Sequence, residues 1–303
     1  MLGIDAMAQA ILAQHAAPFA GFAPEPVPEP AAPDPVYLAA LRACSALGFM
    51  AHDAQCLARA WQARTLRVGA FQATPWPDAP EDFGLQAVPR ARAFAPCPDR
   101  LGLYAVLPDA AWVARMARAG VPALQLRFKS SDARAIAREV AATVRAVQGS
   151  RALLFINDHW QAAIDAGAYG VHLGQEDLDA LDPGARQTLH ASGLRLGVST
   201  HGYAEMLRAD ALGPSYIAMG AVFPTTLKKM ATAPQGLGRL GAYARLLRNY
   251  PQVAIGGIGA AQFPQVLATG VGSIAVVRAL VSAPNPEAAA AQLMACMAPA
   301  SPP

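Results

Sequence analysis

A closed barrel of eight parallel strands alternating with helices, preceded by a Pro-rich and partly helical extension, is the fold this sequence predicts. Three observations carry that expectation. From Leu101 onward, short apolar runs alternate with Ala- and Arg-rich stretches of helical spacing. Eight such runs can be counted, the number that closes a (β/α)8, or TIM, barrel, here a small one. The runs end in polar or glycine-rich clusters, as strands do when they open onto a site at one barrel face. An open doubly wound sheet is the alternative, but its GxGxxG fingerprint after the first strand is absent.

The elements follow in order. Residues 1–36 hold seven prolines (Pro18, Pro24, Pro26, Pro28, Pro30, Pro33 and Pro35), and the run APEPVPEPAAPDP predicts an extended, polyproline-like, mobile segment. Residues 36–64 space their apolar side chains as two short helices broken near Gly48. Residues 65–100 are rich in proline and aromatics, with weak periodicity, so 1–98 reads as an appendage. Strands are expected over 101–109, 123–129, 152–158, 170–175, 194–200, 215–224, 252–259 and 272–280. Helices are expected over 110–119, 132–147, 159–166, 203–211, 237–248, 260–268 and 286–297. The barrel domain is placed at 99–298 and a disordered tail at 299–303.

Composition narrows the function. With 54% hydrophobic and 15% charged residues, the 303-residue chain can bury a large core. A formal charge of +3, without a basic run, argues against nucleic acid as a partner. No apolar stretch reaches membrane-spanning length, so no membrane partner is expected. The N-terminal residues, with Asp5, His15 and no early Lys or Arg, do not read as a secretory leader. A cytoplasmic protein is therefore expected, with a homo-oligomer left open. Cys44, Cys56, Cys97 and Cys296 show no metal or disulfide spacing. Only three of the 24 basic residues are lysines, Lys129, Lys228 and Lys229, and all three fall at predicted strand ends.

Those strand ends concentrate the chemistry. Gln125, Arg127 and Lys129 alternate onto one side of the second strand. Asn157 and Asp158 end the third, Gln175-Glu176-Asp177 the fourth and Ser199-Thr200-His201 the fifth. The sixth runs into Thr225, Thr226, Leu227 and Lys228, and the seventh ends in Gly256-Gly257. Taken singly, an Asp here is as well explained as a helix cap and a glycine as a turn former. His172, inside an apolar strand, reads as a core histidine. Together they suggest one chemistry. Asp158 and Asp177 suit a Mg²⁺ that keeps waters and meets phosphate oxygens. Arg127 can fork onto phosphate, and the lysines add compact charge. The backbone after Gly257 can cradle a second phosphate.

The segments QLRFK, FINDHW, YGVHLGQED, LGVSTH, VFPTTLKKM with APQGL, VAIGGI and GVGSIAVV occur one per strand across about 101–285. In that order they resemble thiamine phosphate synthase (thiamine-phosphate pyrophosphorylase). The resemblance implies a transferase of thiamine biosynthesis. It joins hydroxymethylpyrimidine diphosphate to thiazole phosphate, with pyrophosphate leaving first and a pyrimidine cation forming. It implies that Gln125, Arg127, Lys129, Asn157 and Lys228 contact the pyrimidine diphosphate and that Ser199 lies near it. Asp158 and Asp177 are implied as Mg²⁺ ligands. Thr225, Gly257, Val277 and Arg278 are implied at the thiazole phosphate, Thr226 among the substrate-binding residues, and Arg127, Lys129, Ser199 and Lys228 as the catalytic set.

Three positions depart from the family pattern. Phe128 replaces an acid between Arg127 and Lys129, and alternation points it away from the pocket. Leu227 stands where the family has a second phosphate-binding Thr, and Arg278 where it has Ser. A lost hydroxyl removes about 1–3 kcal/mol of hydrogen bonding to a charged group. The expectation is altered thiazole phosphate binding, with Arg278 either compensating or blocking. Two rivals remain: a pyrimidine-diphosphate-binding barrel without turnover, and a thiazole tautomerase-like isomerase using His201.

Overall fold

The computed structural model describes residues 2–31, 33–90, 92–226 and 232–298. The expected tail at 299–303 and the expectations for Leu227 and Lys228 lie outside the described residues. Eight strands, β1 (Gly102–Leu107), β2 (Ala123–Leu126), β3 (Leu153–Asn157), β4 (Gly170–Leu173), β5 (Arg195–Thr200), β6 (Tyr216–Met219), β7 (Gln252–Ala254) and β8 (Ser273–Val276), pair in parallel in sequence order. β8 closes onto β1 through Gly102 opposite Ser273 and Tyr104 opposite Ala275. The predicted (β/α)8 barrel is therefore present.

Period-2 alternation sorts the strand residues into two apolar layers. Tyr104, Val106, Phe155, Tyr216, Ala218, Val253 and Ala275 pack inside the barrel. Leu103, Leu124, Ile156, Val171, Leu196, Ile217 and Ile274 face the helices. Two inward positions must be glycine. A Cβ on Gly170 would stand 2.7 Å from the Phe155 ring, and one on Gly197 would overlap the Tyr216 ring. The large rings of Phe155 and Tyr216 thus fill the narrow interior that their glycine neighbours leave open.

The strands are shorter than expected. The stretches 127–129, 220–224 and 255–259 leave the sheet, and residues from each line the site described below. The expected strand 272–280 ends at Val276, and a short helix (Arg278–Val281) follows. Aspartate caps account for several crossover helices. Asp109 accepts from Trp112 N, Asp132 from Arg134 N and Asp182 from Ala185 N, each at 2.8 Å. Two helices, Gln175–Ala180 and Pro183–Ala191, join β4 to β5 where the sequence pattern predicts none.

The extension differs most from expectation. Helices α1 (Ile4–His15), α2 (Pro35–Ala46) and α3 (Ala51–Val68) pack on one another and on the barrel in one continuous apolar cluster. The break between α2 and α3 at Gly48 is as predicted, but α1 was not anticipated. The Pro-rich stretch is extended yet tied down, with Glu25 N donating to Ser45 O at 3.0 Å and Arg42 forked onto Glu29. Its contacts are invisible to composition because they come from α2, further along the chain. Burial pushes the thiols of Cys44, Cys56 and Cys97 up, and all four cysteines are free.

Two barrel helices carry the extension: α4 (Tyr203–Leu212), after β5, and α5 (Gly236–Leu246), after β6. Trp76 Nε1 donates to Tyr203 OH at 2.9 Å, and Phe83 stacks on the Tyr203 ring. Arg239 is 3% exposed. Its guanidinium lies 3.4 Å from the Phe22 ring centroid and 4.2 Å from that of Phe49. It also donates to Leu47 O and Gly48 O. Arg239→Met is expected to cost about 2 kcal/mol by removing a desolvated cation–π contact and orphaning two carbonyls. Thermal denaturation of the full chain checks this; an unchanged Tm would mean that the contact contributes nothing.

Candidate active site

A cavity of about 690 Å³ opens at the C-terminal ends of the strands. Its wall contains Gln125, Arg127, Lys129, Asn157, Asp158, Asp177 and Ser199 from one half, and Thr225, Gly257, Val277 and Arg278 from the other. Strand geometry explains the grouping. Gln125 is buried on β2, where its Nε2 donates to Tyr104 OH at 3.1 Å. Arg127 and Lys129 continue that side of the chain beyond the sheet. Arg127 N still donates to Leu107 O at 2.7 Å, so the chain leaves β2 in a fixed direction. Phe128, between them, packs into the apolar cluster outside the barrel, as alternation predicted.

Asn157 closes β3, and Asp158 follows with φ at 64°. A left-handed backbone is uncommon outside glycine but is best tolerated by Asp and Asn. Asp158 N donates to His172 O, and Asp158 O accepts from Trp160 N, which fixes the turn. Asp177 sits in the first turn of Gln175–Ala180, and its Oδ2 accepts from Gly174 N at 2.8 Å. The two carboxyls meet across the cavity mouth. Partial desolvation by the cavity wall, and then the facing Asp177 with its hydrogen bond, push Asp158 up from the ordinary carboxylate range. Facing carboxylates favour a shared counter-cation. Among the described residues no cluster of three or more His, Cys, Asp or Glu could hold a metal. Two carboxylates alone suit a hard cation that takes its remaining oxygens from water and phosphate.

Ser199 ends the inward face of β5. Its Oγ lies 2.8 Å from His172 Nε2, and His172 Nδ1 lies 2.7 Å from Tyr216 OH. His172 is therefore both a core histidine and part of the cavity wall. The alternation of β4, which turns residues 170 and 172 inward, was the signal available for it. His201 also lines the cavity, and Glu205 Oε2 accepts from its backbone N at 2.8 Å. Glu176, named at the end of the fourth strand, also lines the wall, as does Gln262, which the sequence did not single out.

On the opposite side, Gly256 (φ 105°) and Gly257 (φ 66°) bring the chain after β7 against the loop after β6. A Cβ on Gly257 would stand 2.6 Å from Pro224 O, so both conformation and space require glycine there. Thr225 faces the cavity. Thr226 stands off the wall and accepts from Arg278 Nη1 at 3.2 Å, so the Arg278 side chain reaches across the rim. Lys228, with Leu227 and Lys229, falls outside the described residues.

A barrel that pools cations, a carboxylate pair and a glycine-lined loop at its strand ends belongs to the class of TIM-barrel enzymes that act on small phosphorylated molecules. Comparison with known proteins narrows the class. The family model described as thiamine monophosphate synthase matches residues 103–280, and the chain belongs to that family. A thiamine-phosphate synthase of Neisseria meningitidis serogroup B is 55% identical over 195 residues, 64% of this chain and 94% of that protein. One from Escherichia coli O6:H1 is 51% identical over 201 residues, 66% of this chain and 94% of that protein. Among solved structures, thiamine phosphate pyrophosphorylase from Pyrococcus furiosus aligns at a TM-score of 0.57 and 29% identity, covering 66% of this chain and 96% of that one. These relatives are matched almost in full, while about a third of this chain stays unmatched. No described helix is long and apolar enough to cross a membrane.

Proposed function

We propose that this chain condenses hydroxymethylpyrimidine diphosphate with thiazole phosphate to give thiamine phosphate and pyrophosphate, with the residues of the cavity wall in the roles that follow. The meeting of Asp158, Asp177, Arg127 and Lys129 in one cavity, in a barrel about half identical to thiamine-phosphate synthases, is the observation that carries this reading. Gln125, Asn157 and Ser199 orient the pyrimidine end. Arg127, Lys129 and Lys228 hold the diphosphate and stabilise the charge that builds on it as the exocyclic C–O bond breaks. The electron pair leaves with pyrophosphate, and the neutral thiazole nitrogen then donates its lone pair to the pyrimidine cation. No side chain has to remove a proton in that step. Asp158 and Asp177 would hold Mg²⁺, which when bound offsets charge on the leaving diphosphate. Their facing geometry and the raised proton affinity of Asp158 fit that cation.

Thr225, Gly257 and Val277 form the thiazole phosphate end, and Arg278 supplies a forked cation there. The reach of Arg278 to Thr226 supports a guanidinium aimed along the rim and a compensating role. Arg278→Ser is expected to raise KM for thiazole phosphate about tenfold with kcat little changed, the loss of one charged hydrogen-bonding group. A lowered KM would mean that Arg278 obstructs the site.

The reading as a whole is tested with purified full-length protein, Mg²⁺ and both substrates, following thiamine phosphate by its fluorescence after oxidation to thiochrome. Product that disappears with EDTA is expected. Binding of the pyrimidine diphosphate without product would overturn the proposal in favour of a barrel that retains one half-site. The substrates are small phosphorylated molecules, and the proposed setting is the cytoplasm, where such intermediates are made and used.

A further inference from the structure

The third of the chain that the relatives do not match is docked beside the site, and one of its side chains serves a helix of the barrel. Helix α4 begins at Gly202, which has no side chain to cap it. The missing acceptor comes from elsewhere: Asp53, on α3 of the extension, accepts from Ala204 N through Oδ1 at 2.8 Å. Asp53 is 8% exposed. A Cβ on Gly202 would overlap the Asp53 carboxylate, so the glycine at 202 and the aspartate at 53 fit one another.

The capped turn leads straight to the cavity. Glu205, one residue past Ala204, accepts from His201 N at 2.8 Å and lies 2.7 Å from His201 Nδ1. His201 follows Ser199 and Thr200, and all three line the cavity. If the first turn of α4 frays, Glu205 releases His201 and the end of β5 loses its support on that side. We infer that Asp53 is a positioning residue for catalysis: it caps the N-terminus of α4 from the extension, and through Glu205 it holds the Ser199–His201 rim in place. The extension is then a working part of the enzyme. A cap that is ordinarily supplied by the residue just before the helix comes here from 151 positions away. The effect on turnover rests on the role proposed for Ser199.

The experiment moves the cap. Four full-length variants are compared with the wild-type chain: Asp53→Ala, Asp53→Asn, Asp53→Ala/Gly202→Ser, and Arg239→Met as a control that loosens the extension and alters the charge near Asp53 while keeping its hydrogen bond to Ala204 N. Asp53→Ala is expected to lower kcat about tenfold and to speed amide hydrogen exchange across 201–206. Asp53→Asn, which keeps the acceptor, should stay within about threefold of wild type. In the double variant the introduced hydroxyl caps its own helix from the space the carboxylate vacated, so both kcat and slow exchange should recover. Arg239→Met should lower Tm and leave kcat at low temperature unchanged.

The inference is overturned if Asp53→Ala keeps wild-type kcat and exchange, or if kcat merely follows Tm across all four variants. It is also overturned if the double variant recovers Tm without recovering kcat. A variant that fails to fold leaves the decision to Asp53→Asn and the double variant. Should the wild-type chain make no product, the synthase reading fails, while the exchange measurement still decides whether Asp53 caps α4.

Discussion

Asp158→Asn is expected to lower the rate of thiamine phosphate formation at least a hundredfold while leaving the fold intact. That factor corresponds to about 2.7 kcal/mol of lost transition-state stabilisation. Asn is the informative replacement because it tolerates the φ of 64° at this position, whereas Ala would add backbone strain to the loss of charge. The substitution removes one of two facing carboxylates, and with it the proposed cation site, while leaving the Arg127 and Lys129 side chains in the cavity wall. Steady-state rates against Mg²⁺ concentration, with circular dichroism on the same sample, check it. The same loss is expected for Asp177→Asn, accompanied by weakening of the turn that Asp177 closes with Gly174 N. A rate within tenfold of wild type at saturating Mg²⁺ would remove Asp158 from the metal site.

The second large effect concerns stability and has a defined pH window. Burial pushes Asp53 from 3.8 up to about 6, against the opposing pull of the Ala204 N hydrogen bond and of Arg239. Glu205, on α4, pushes in the same direction as burial, and His52, on α3, opposes it. The folded state therefore holds the proton more tightly than the unfolded state. The stability this group contributes is complete below pH 3.8 and is lost as pH rises through about 6. An isosteric Asn carries no such cost. Asp53→Asn should match wild type only below pH 3.8, gain on it as pH rises from there through about 6, and level off at roughly 3 kcal/mol above that range. Paired denaturant titrations across pH isolate the group, because every other titration is common to both proteins. A difference independent of pH would show that Asp53 is not ionising in a buried place. An aspartate kept at this cost is consistent with an anion placed at the positive end of α4.

These two residues also mark the boundary between what could be read in advance and what could not. Asp158 was legible because barrel chemistry depends on local pattern. A short apolar run predicts a strand, its alternation predicts which side chains turn inward, and its end predicts where polar groups are presented. By that logic and the family resemblance, Gln125, Arg127, Lys129, Asn157, Asp158, Asp177, Ser199, Thr225, Gly257, Val277 and Arg278 were named, and all of them line one cavity. Thr226 was named with them but stands off the wall, because the loop after β6 turns it toward Arg278. His172 was read as core alone, since nothing in its own strand announces that the Ser199 hydroxyl from β5 stands 2.8 Å away.

Asp53 was not legible at all. In sequence it is one acid on a modest amphipathic helix, separated from its partner Ala204 by 151 positions. The ties that hold the Pro-rich stretch were illegible for the same reason. Proline content describes the local backbone, while the ties of Glu25 and Glu29 come from α2. The sequence by itself determined the strand count, the inward and outward faces and the polar groups of the strand ends, because each follows from spacing within a few residues. Only the tertiary structure decided that the extension is packed against the barrel, that Gly202 borrows its cap, and that His172 meets Ser199. Those facts depend on which distant surfaces come together, and contact between distant residues leaves no period in the chain.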